Sequence, residues 1–176
     1  MHWLYLQFYS LQLDSLPEAD RDQGAIAVVD ASKNKIVQYN GQAYQLGIRT
    51  GMGLALSISL SNDLRVLEYK PEVEKERLQH IAERLYQVTA DIVLDAPQGL
   101  FLRIDNMLRL YKDTSDYWLA IMSQISDLKL RSHYASAPTL EMAKVLAYSG
   151  CNKLFNELDN AKEVAATLSV NALFIS

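Results

Sequence analysis

The order of apolar patterns along the chain constrains its fold more than any other feature. An amphipathic stretch that begins at Pro71 repeats apolar residues at steps of three and four, which predicts a long helix. Further helices are predicted from about Ser115 and from Thr139 to Gly150. The repeating apolar positions of the long helix are Leu78, Ile81, Leu85, Val88 and Ile92. Runs typical of strands lie at residues 2–9, 25–29, 35–39, 64–69, 100–104 and 130–137. A strand-like segment at 108–111 is predicted to pair with the run at 100–104.

These elements predict an α+β fold. Helices that collect on one face of a mostly antiparallel sheet form a ferredoxin-like layer. Residues 24–69 interrupt that pattern with a hairpin, in which a polar loop at residues 30–34 joins two apolar runs. Two short helices, at residues 41–47 and 53–60, and a strand follow the hairpin. We therefore expect a small subdomain inserted after the first strand and helix.

Composition excludes several functional classes. The net charge of −4 and the pI of about 5.4 predict weak binding to nucleic acid, since domains that grip it are usually basic. The single cysteine, Cys151, cannot form a disulfide within the chain and fits a reducing cytoplasm, where we expect it to act as a small buried hydrophobe. The three histidines do not have the spacing of zinc ligands. No apolar run approaches the ~20 residues of a membrane span.

Five segments, in the same order, resemble motifs of Y-family lesion-bypass DNA polymerases (the UmuC/DinB superfamily). The segment Leu46–Met52 resembles the "GIRxGM" motif of the fingers, and the hairpin before it also fits that family. Residues 62–67 resemble the segment that returns from the fingers to the palm. Residues 99–111 resemble a palm strand and its sequel, and residues 135–150 resemble a later palm segment.

The resemblance implies a division into palm and fingers. It assigns residues 1–17 and 70–176 to a ferredoxin-like polymerase palm and residues 18–69 to the fingers. Family members continue into a helix-hairpin-helix thumb, a little finger and a clamp-binding peptide. The chain ends at Ser176, so the resemblance implies that it is a fragment or a truncated product without those parts.

The resemblance also locates the metal site of the family. Nucleotidyl transfer in this family uses two Mg²⁺ ions, which require carboxylate ligands. The first metal-binding Asp falls on Tyr5, and a second Asp of the same motif falls on Gln7. The adjacent Asp-Glu pair falls on Gln98 and Gly99. We therefore expect no catalytic residue, no bound metal and no cofactor.

The triphosphate-binding positions of the fingers also depart from the family pattern. The family uses a Tyr and an Arg on one helix to contact the incoming nucleotide. These positions fall on Gly41 and Tyr44, so we expect no nucleotide binding there.

One branch of the family shares this loss, the ImuB-like proteins of bacterial mutagenesis cassettes. The resemblance implies a non-catalytic adaptor in the SOS response to DNA damage, acting in mutagenic translesion synthesis. The implied partners are a sliding clamp, an error-prone polymerase and a recombinase-like accessory protein, bound through the C-terminal region that this chain lacks. Weak DNA binding, a cytoplasmic location and no membrane contact are also expected.

Two alternatives remain open from the sequence. The first is an active metal-dependent nucleotidyltransferase, a translesion polymerase with relocated carboxylates drawn from Asp14, Asp30, Asp95, Asp105 and Asp113. The second is a ferredoxin-like binding domain without a DNA role.

Several side chains have both a functional and a structural interpretation. Lys33, Lys35 and Arg49 could touch DNA, although we favour a solvated loop. Tyr5 and Tyr9 could stack on bases, although core packing is favoured. We expect the acidic residues of the segment 72–76 to complement the dipole at the start of the long helix.

Overall fold

The computed structural model describes residues 1–21, 23–155 and 164. The chain divides into two compact units, one formed by Met1–Tyr9 with the described residues from Lys75 onward, and the other by the described residues of Ser10–Glu74. The strands in chain order are β1 (Trp3–Phe8), β2 (Ile26–Asp30), β3 (Lys35–Tyr39), β4 (Arg65–Glu68), β5 (Ile92–Asp95), β6 (Gly99–Arg103) and β7 (Ser132–Ala137). The helices are α1 (Leu11–Asp14), α2 (Glu18–Arg21), α3 (Gly41–Gln45), α4 (Leu54–Leu60), α5 (Pro71–Leu85), α6 (Thr114–Ile125) and α7 (Leu140–Tyr148), with 3-10 turns at Met107–Arg109 and Ser126–Leu128.

The first unit contains a four-stranded antiparallel sheet in the order β5-β6-β1-β7. Strand β1 is central, and five of its six residues are buried because both faces of the sheet are covered. Tyr5, Phe101 and Ala135 point to one face, where α7 packs against β1 and β7. The small residues Ala143 and Ala147 let α7 lie close to that face. The predicted α+β class with an antiparallel sheet and helices is confirmed.

The second unit has its own three-stranded sheet in the order β3-β2-β4. Strands β2 and β3 form the predicted antiparallel hairpin, and β4 runs parallel to β2. Asp30 fixes the hairpin loop because its Oδ1 accepts hydrogen bonds from the backbone N–H and the hydroxyl of Ser32, at 2.9 and 2.6 Å. Apolar side chains cover both faces of this sheet, in two separate clusters.

Two predictions about element boundaries are wrong. The long helix ends at Leu85, and Ile92 begins strand β5 instead of a further helical turn. The apolar spacing continues past Leu85, but Val88 belongs to a turn. The segment 108–111 is not a strand, because its chain turns at Met107–Arg109 and β6 pairs instead with β5 and β1.

Helix α6 provides a simple test of the local structure. Its N-cap is Asp113, whose side chain accepts a hydrogen bond of 2.9 Å from the backbone N–H of Asp116. We expect Asp113→Ala to lower the free energy of unfolding by about 1 kcal/mol, the usual cost of losing an N-cap. Asp113→Asn keeps the acceptor and serves as the control in urea unfolding. Equal stability of the two variants would contradict the capping role.

Within the described residues, no helix has both the length and the apolar character needed to cross a membrane.

Candidate functional site

The positions where the resemblance expects metal-binding carboxylates lie on adjacent strands of the first unit. Gln7 on β1 is opposite Gly99 on β6, and Tyr5 is opposite Phe101. The backbone N–H of Phe8 donates to the carbonyl oxygen of Gln98 at 2.7 Å, which holds the turn before β6 against β1. The structure therefore brings these positions together at one edge of the central strand pair.

The Tyr5 side chain extends along the sheet until its hydroxyl stands beside Gly99. A Cβ atom on Gly99 would overlap the Tyr5 hydroxyl oxygen, and it would lie 2.5 Å from Cζ and 2.9 Å from Cε2. Atoms cannot approach so closely, so a side chain at position 99 and the tyrosine ring at position 5 exclude each other in this conformation. Gly99 is thus required by the position of Tyr5.

The Tyr5 hydroxyl takes part in a charged network. It donates to Oδ2 of Asp95 at 2.6 Å, and the Lys144 ammonium lies 2.8 Å from the same oxygen. Burial raises the pKa of the fully buried Tyr5 hydroxyl, and the hydrogen bond to Asp95 raises it further. The phenol therefore stays protonated and acts only as a donor to the carboxylate.

Helix α7 places Lys144 and Tyr148 in this network. The helix begins after Thr139, whose hydroxyl accepts from the backbone N–H of Met142 at 3.2 Å. Lys144 and Tyr148 are four residues apart and therefore share a face of the helix. The Tyr148 ring stacks on Tyr5 with 6.1 Å between centroids, and the Lys144 ammonium lies 5.9 Å from the Tyr148 ring centre.

Gln7 contributes no hydrogen bond that would complete a site. The residue is 7% exposed, and its Oε1 has no hydrogen-bond partner among the described residues. Its neighbours across the strands are Gly99 and His133. The His133 ring instead stacks on Tyr9, which is partly exposed, with 4.7 Å between centroids. Tyr5 is thus a core residue, as we favoured, whereas Tyr9 lies at the surface.

The acidic residues considered as relocated ligands have separate local roles. Asp30 closes the β2–β3 hairpin and Asp113 caps α6. Asp105 accepts from Arg103 and from the backbone N–H of His2, and the Arg103 hydrogen bonds lower the pKa of its carboxyl group to about 2. Asp14 is buried in α1. In residues 1–21, 23–155 and 164, no three His, Cys, Asp or Glu side chains gather in a way that could hold a metal ion.

The positions that the resemblance assigns to the triphosphate site of the fingers lie in the second unit, on α3. Gly41 is the first residue of this short helix, and Asn40 caps it by accepting from the backbone N–H of Ala43. Tyr44 is half exposed, and the Arg49 guanidinium lies 3.7 Å from its ring centre. Arg49 also donates at 2.8 Å to the backbone carbonyls of Tyr44 and Ile48, so its own loop fixes the side chain.

The two lysines of the hairpin are at the surface. Lys33 is exposed and lies 3.9 Å from Asp30, a distance at which an exposed ion pair contributes little. Lys35 is exposed at the start of β3, where a single bridge pairs it with Gly53.

Sequence reasoning missed a second polar network in the second unit. Glu74, expected to complement the dipole at the start of α5, is only 1% exposed. Its carboxylate accepts hydrogen bonds from the Gln38 amide and, at 2.6 Å, from the Tyr69 hydroxyl. The signal was present, because Glu74 precedes Leu78 by four residues and so shares the apolar stripe of the helix.

Comparisons with known proteins show which family the chain belongs to and which fold it shares. The family model described as the impB/mucB/samB family matches residues 8–148. A search of curated protein sequences finds no match. The structure is similar to the post-insertion binary complex of Dbh DNA polymerase, with a TM-score of 0.78, 16% identity and coverage of 98% of this chain and 53% of that one.

A second solved structure gives the same result. A DinB family error-prone DNA polymerase from Sulfolobus solfataricus matches with a TM-score of 0.71, 15% identity and coverage of 98% of this chain and 52% of that one. The chain thus spans about half the length of the polymerases that it resembles. At these identities the similarity establishes the fold.

Proposed function

The chain belongs to the impB/mucB/samB family, whose fold it shares with Y-family polymerases, and on that premise we propose that it is a catalytically inactive adaptor in DNA damage tolerance. The observation that carries the proposal is the Tyr5 side chain, which fills the space where a side chain at position 99 would stand. A carboxylate at position 99 and the present packing of β1 against β6 are incompatible.

The charge of the network supports the same proposal. Two Mg²⁺ ions need several hard, anionic oxygen ligands. Tyr5, Gln7, Gln98 and Gly99 supply no carboxylate. The Asp95 carboxylate lies beside them, but the Lys144 ammonium and the Tyr5 hydroxyl already contact one of its oxygens. These residues do not fit the pair of ions that the reaction requires.

The fingers loop supports the proposal independently. The family position for a triphosphate-binding Tyr is Gly41, which has no side chain, and the position for the Arg is Tyr44. Arg49 cannot easily replace that Arg because its guanidinium is held on Tyr44 and by two backbone carbonyls. The positions that would contact the triphosphate therefore differ from the family pattern, as do the positions that would bind the metal ions.

Mutagenic translesion synthesis is the setting that the resemblance to the ImuB-like branch favours. In this proposal the protein links a sliding clamp, a recombinase-like accessory protein and an error-prone polymerase. The acidic pI of about 5.4 fits a protein whose main contacts are with other proteins and whose DNA binding is weak.

Primer extension tests the proposal directly. We expect the full-length protein to add no nucleotide to a primed template with Mg²⁺ or Mn²⁺, because nothing would hold the ions near the primer end. An active DinB family polymerase in the same buffers serves as the positive control. Template-dependent incorporation by the purified protein that a change in its own carboxylates abolishes would overturn the proposal.

The rival function is nucleotidyl transfer with relocated carboxylates, and Asp95 is its strongest candidate because it lies beside Tyr5. Asp95→Asn separates the two functions. Any incorporation that Asp95→Asn abolishes supports the rival, whereas incorporation that survives the change points to a contaminating polymerase. A binding domain without a DNA role is the less favoured second rival, since the family match spans both compact units.

A further inference from the structure

A groove of about 370 Å³ opens on the second unit, between the end of α1 and strand β4. This volume lies at the lower end of the range for ligand clefts, about 300–1,000 Å³. The groove belongs to a different compact unit from Tyr5 and Asp95, so it raises a question separate from catalysis. Its lining consists of the apolar residues Leu16, Val66, Leu67 and Val73 and the polar or charged residues Gln12, Ser15, Glu68 and Lys70.

Strand β4 is one of the two edge strands of its sheet. The backbone N–H groups of Arg65 and Tyr69 donate toward β2, to Ala25 and Val29 at 2.9 and 2.8 Å. Successive residues of a strand direct their N–H and C=O groups to opposite edges. The backbone groups of Val66 and Glu68 therefore face away from β2. Edge strands with free hydrogen-bonding groups are sites where another chain can pair.

Gln12 already occupies one position along this edge. Its Nε2 donates to the carbonyl oxygen of Glu68 at 2.7 Å, and its Oε1 accepts from the backbone N–H of Lys70 at 2.7 Å. One donor and one acceptor thus pair with two residues that are two apart, at the end of β4 and just after it, as a residue of a neighbouring parallel strand would. The next such pair along β4 is the carbonyl of Val66 and the N–H of Glu68, and no hydrogen bond joins either to a described residue outside the sheet.

The side chains of the groove define what could pair there. Leu16 and Leu67 belong to one apolar cluster and Val66 to the other, so apolar surface lies on both sides of the strand. Lys70 lies where Gln12 already pairs, whereas the exposed Glu68 borders the free part of the edge and forms no salt bridge with any described residue. The segment 10–74 as a whole carries more acidic than basic residues. An added strand with apolar side chains at alternate positions and basic side chains between them would complement these features.

We infer that this groove binds an extended peptide segment of a partner protein, which adds to the edge of β4 as a parallel strand in line with the Gln12 amide. Its alternate side chains are apolar, toward Leu16 and Leu67, and a basic side chain pairs with Glu68. Main-chain hydrogen bonds supply affinity in this mode of recognition, and alternate side chains supply specificity. The inference goes beyond the adaptor proposal and holds whether or not the protein adds nucleotides.

The probe for the test is a fluorescently labelled hexapeptide of alternating lysine and valine, titrated into the full-length protein and followed by anisotropy. Its matched control carries N-methyl groups on alternate residues, which removes edge hydrogen bonds without changing the side chains. We expect N-methylation on the edge that faces β4 to weaken binding at least tenfold. We also expect the bound peptide to slow hydrogen exchange at the amide of Glu68.

Two variants locate the site. Glu68→Lys reverses the exposed rim charge and should weaken binding by about tenfold, whereas Leu56→Lys, on the exposed surface of α4, should leave binding unchanged. Circular dichroism verifies that both variants fold. Equal binding of the methylated and unmethylated peptides, no binding at all, or dimerisation of the protein through this edge in sedimentation experiments would each overturn the inference.

Discussion

Replacing Gly99 with alanine is expected to destabilise the protein by about 3 kcal/mol, at the upper end of the usual cost of overpacking a core. The added Cβ would overlap the Tyr5 hydroxyl oxygen, and the Tyr5 ring cannot retreat because it is fully buried against Phe101 and α7. For a chain of this size, the midpoint of thermal unfolding should fall by about 6–12 °C.

Gly41→Ala is the matched control for this experiment. A Cβ on Gly41 would meet no atom within 4 Å, and neither Gly41 nor Gly99 has a positive φ. Both changes therefore reduce backbone freedom in the unfolded chain to the same extent, and only Gly99→Ala creates an overlap. We expect Gly41→Ala to change stability by less than about 1 kcal/mol.

A double-mutant cycle tests whether Tyr5 is the cause. Tyr5→Leu should be destabilising because it removes a buried ring and a hydrogen bond to Asp95. Added to Gly99→Ala, however, it should cost less than the sum of the two changes, with a coupling of about 1–3 kcal/mol. Additive effects would show that the Tyr5 ring does not limit position 99, and the proposal of an excluded carboxylate would lose its main support.

The secondary structure was largely predictable because its patterns are local. The hairpin between β2 and β3 follows from two apolar runs joined by a polar loop, and the helix that Thr139 caps follows from its capping residue. The end of α5 was not predictable in this way. Ile92 continues the helical spacing from Leu85, and a short apolar run such as residues 92–94 fits a helix turn as well as a strand.

The candidate site was only partly predictable. Resemblance located Tyr5, Gln98 and Gly99, but it gave no reason why position 99 should be glycine. That reason is the Tyr5 hydroxyl, and Tyr5 contacts its partner Asp95, which lies 90 positions later in the sequence. The groove beside β4 was missed for a similar reason, since nothing local shows that the Gln12 side chain pairs with Glu68 and Lys70.

Replacing Glu74 with leucine is the second change with a large expected effect, a loss of about 2–4 kcal/mol from leaving hydrogen-bond donors unpaired. The carboxylate accepts from the Gln38 amide and the Tyr69 hydroxyl, and Gln38 is itself buried and accepts from the backbone N–H of Leu13. Leucine would fill the space but leave both donors without an acceptor. Urea unfolding of Glu74→Leu measures the loss.

Glu74→Gln distinguishes the charge of Glu74 from its hydrogen bonds. Burial raises the pKa of the Glu74 carboxyl group above its ordinary value of 4.5, although its hydrogen bonds with Tyr69 and Gln38 oppose that shift. A raised pKa in the folded state means that protonation favours folding. The stability that the protonated Glu74 carboxyl group contributes is complete below pH 4.5. It is lost as the pH rises through the pKa of this group in the folded state.

Glutamine at position 74 cannot ionise, so its variant lacks this dependence on pH. Between pH 4 and pH 7 the stability of Glu74→Gln should therefore rise relative to that of the parent protein, while Glu74→Leu stays less stable than Glu74→Gln throughout. If the stability of Glu74→Gln instead fell relative to that of the parent protein as the pH rises, the donors Gln38 and Tyr69 would stabilise the ionised carboxylate more than burial disfavours it. In that case the network would require the charge, and Glu74→Gln would resemble Glu74→Leu at neutral pH.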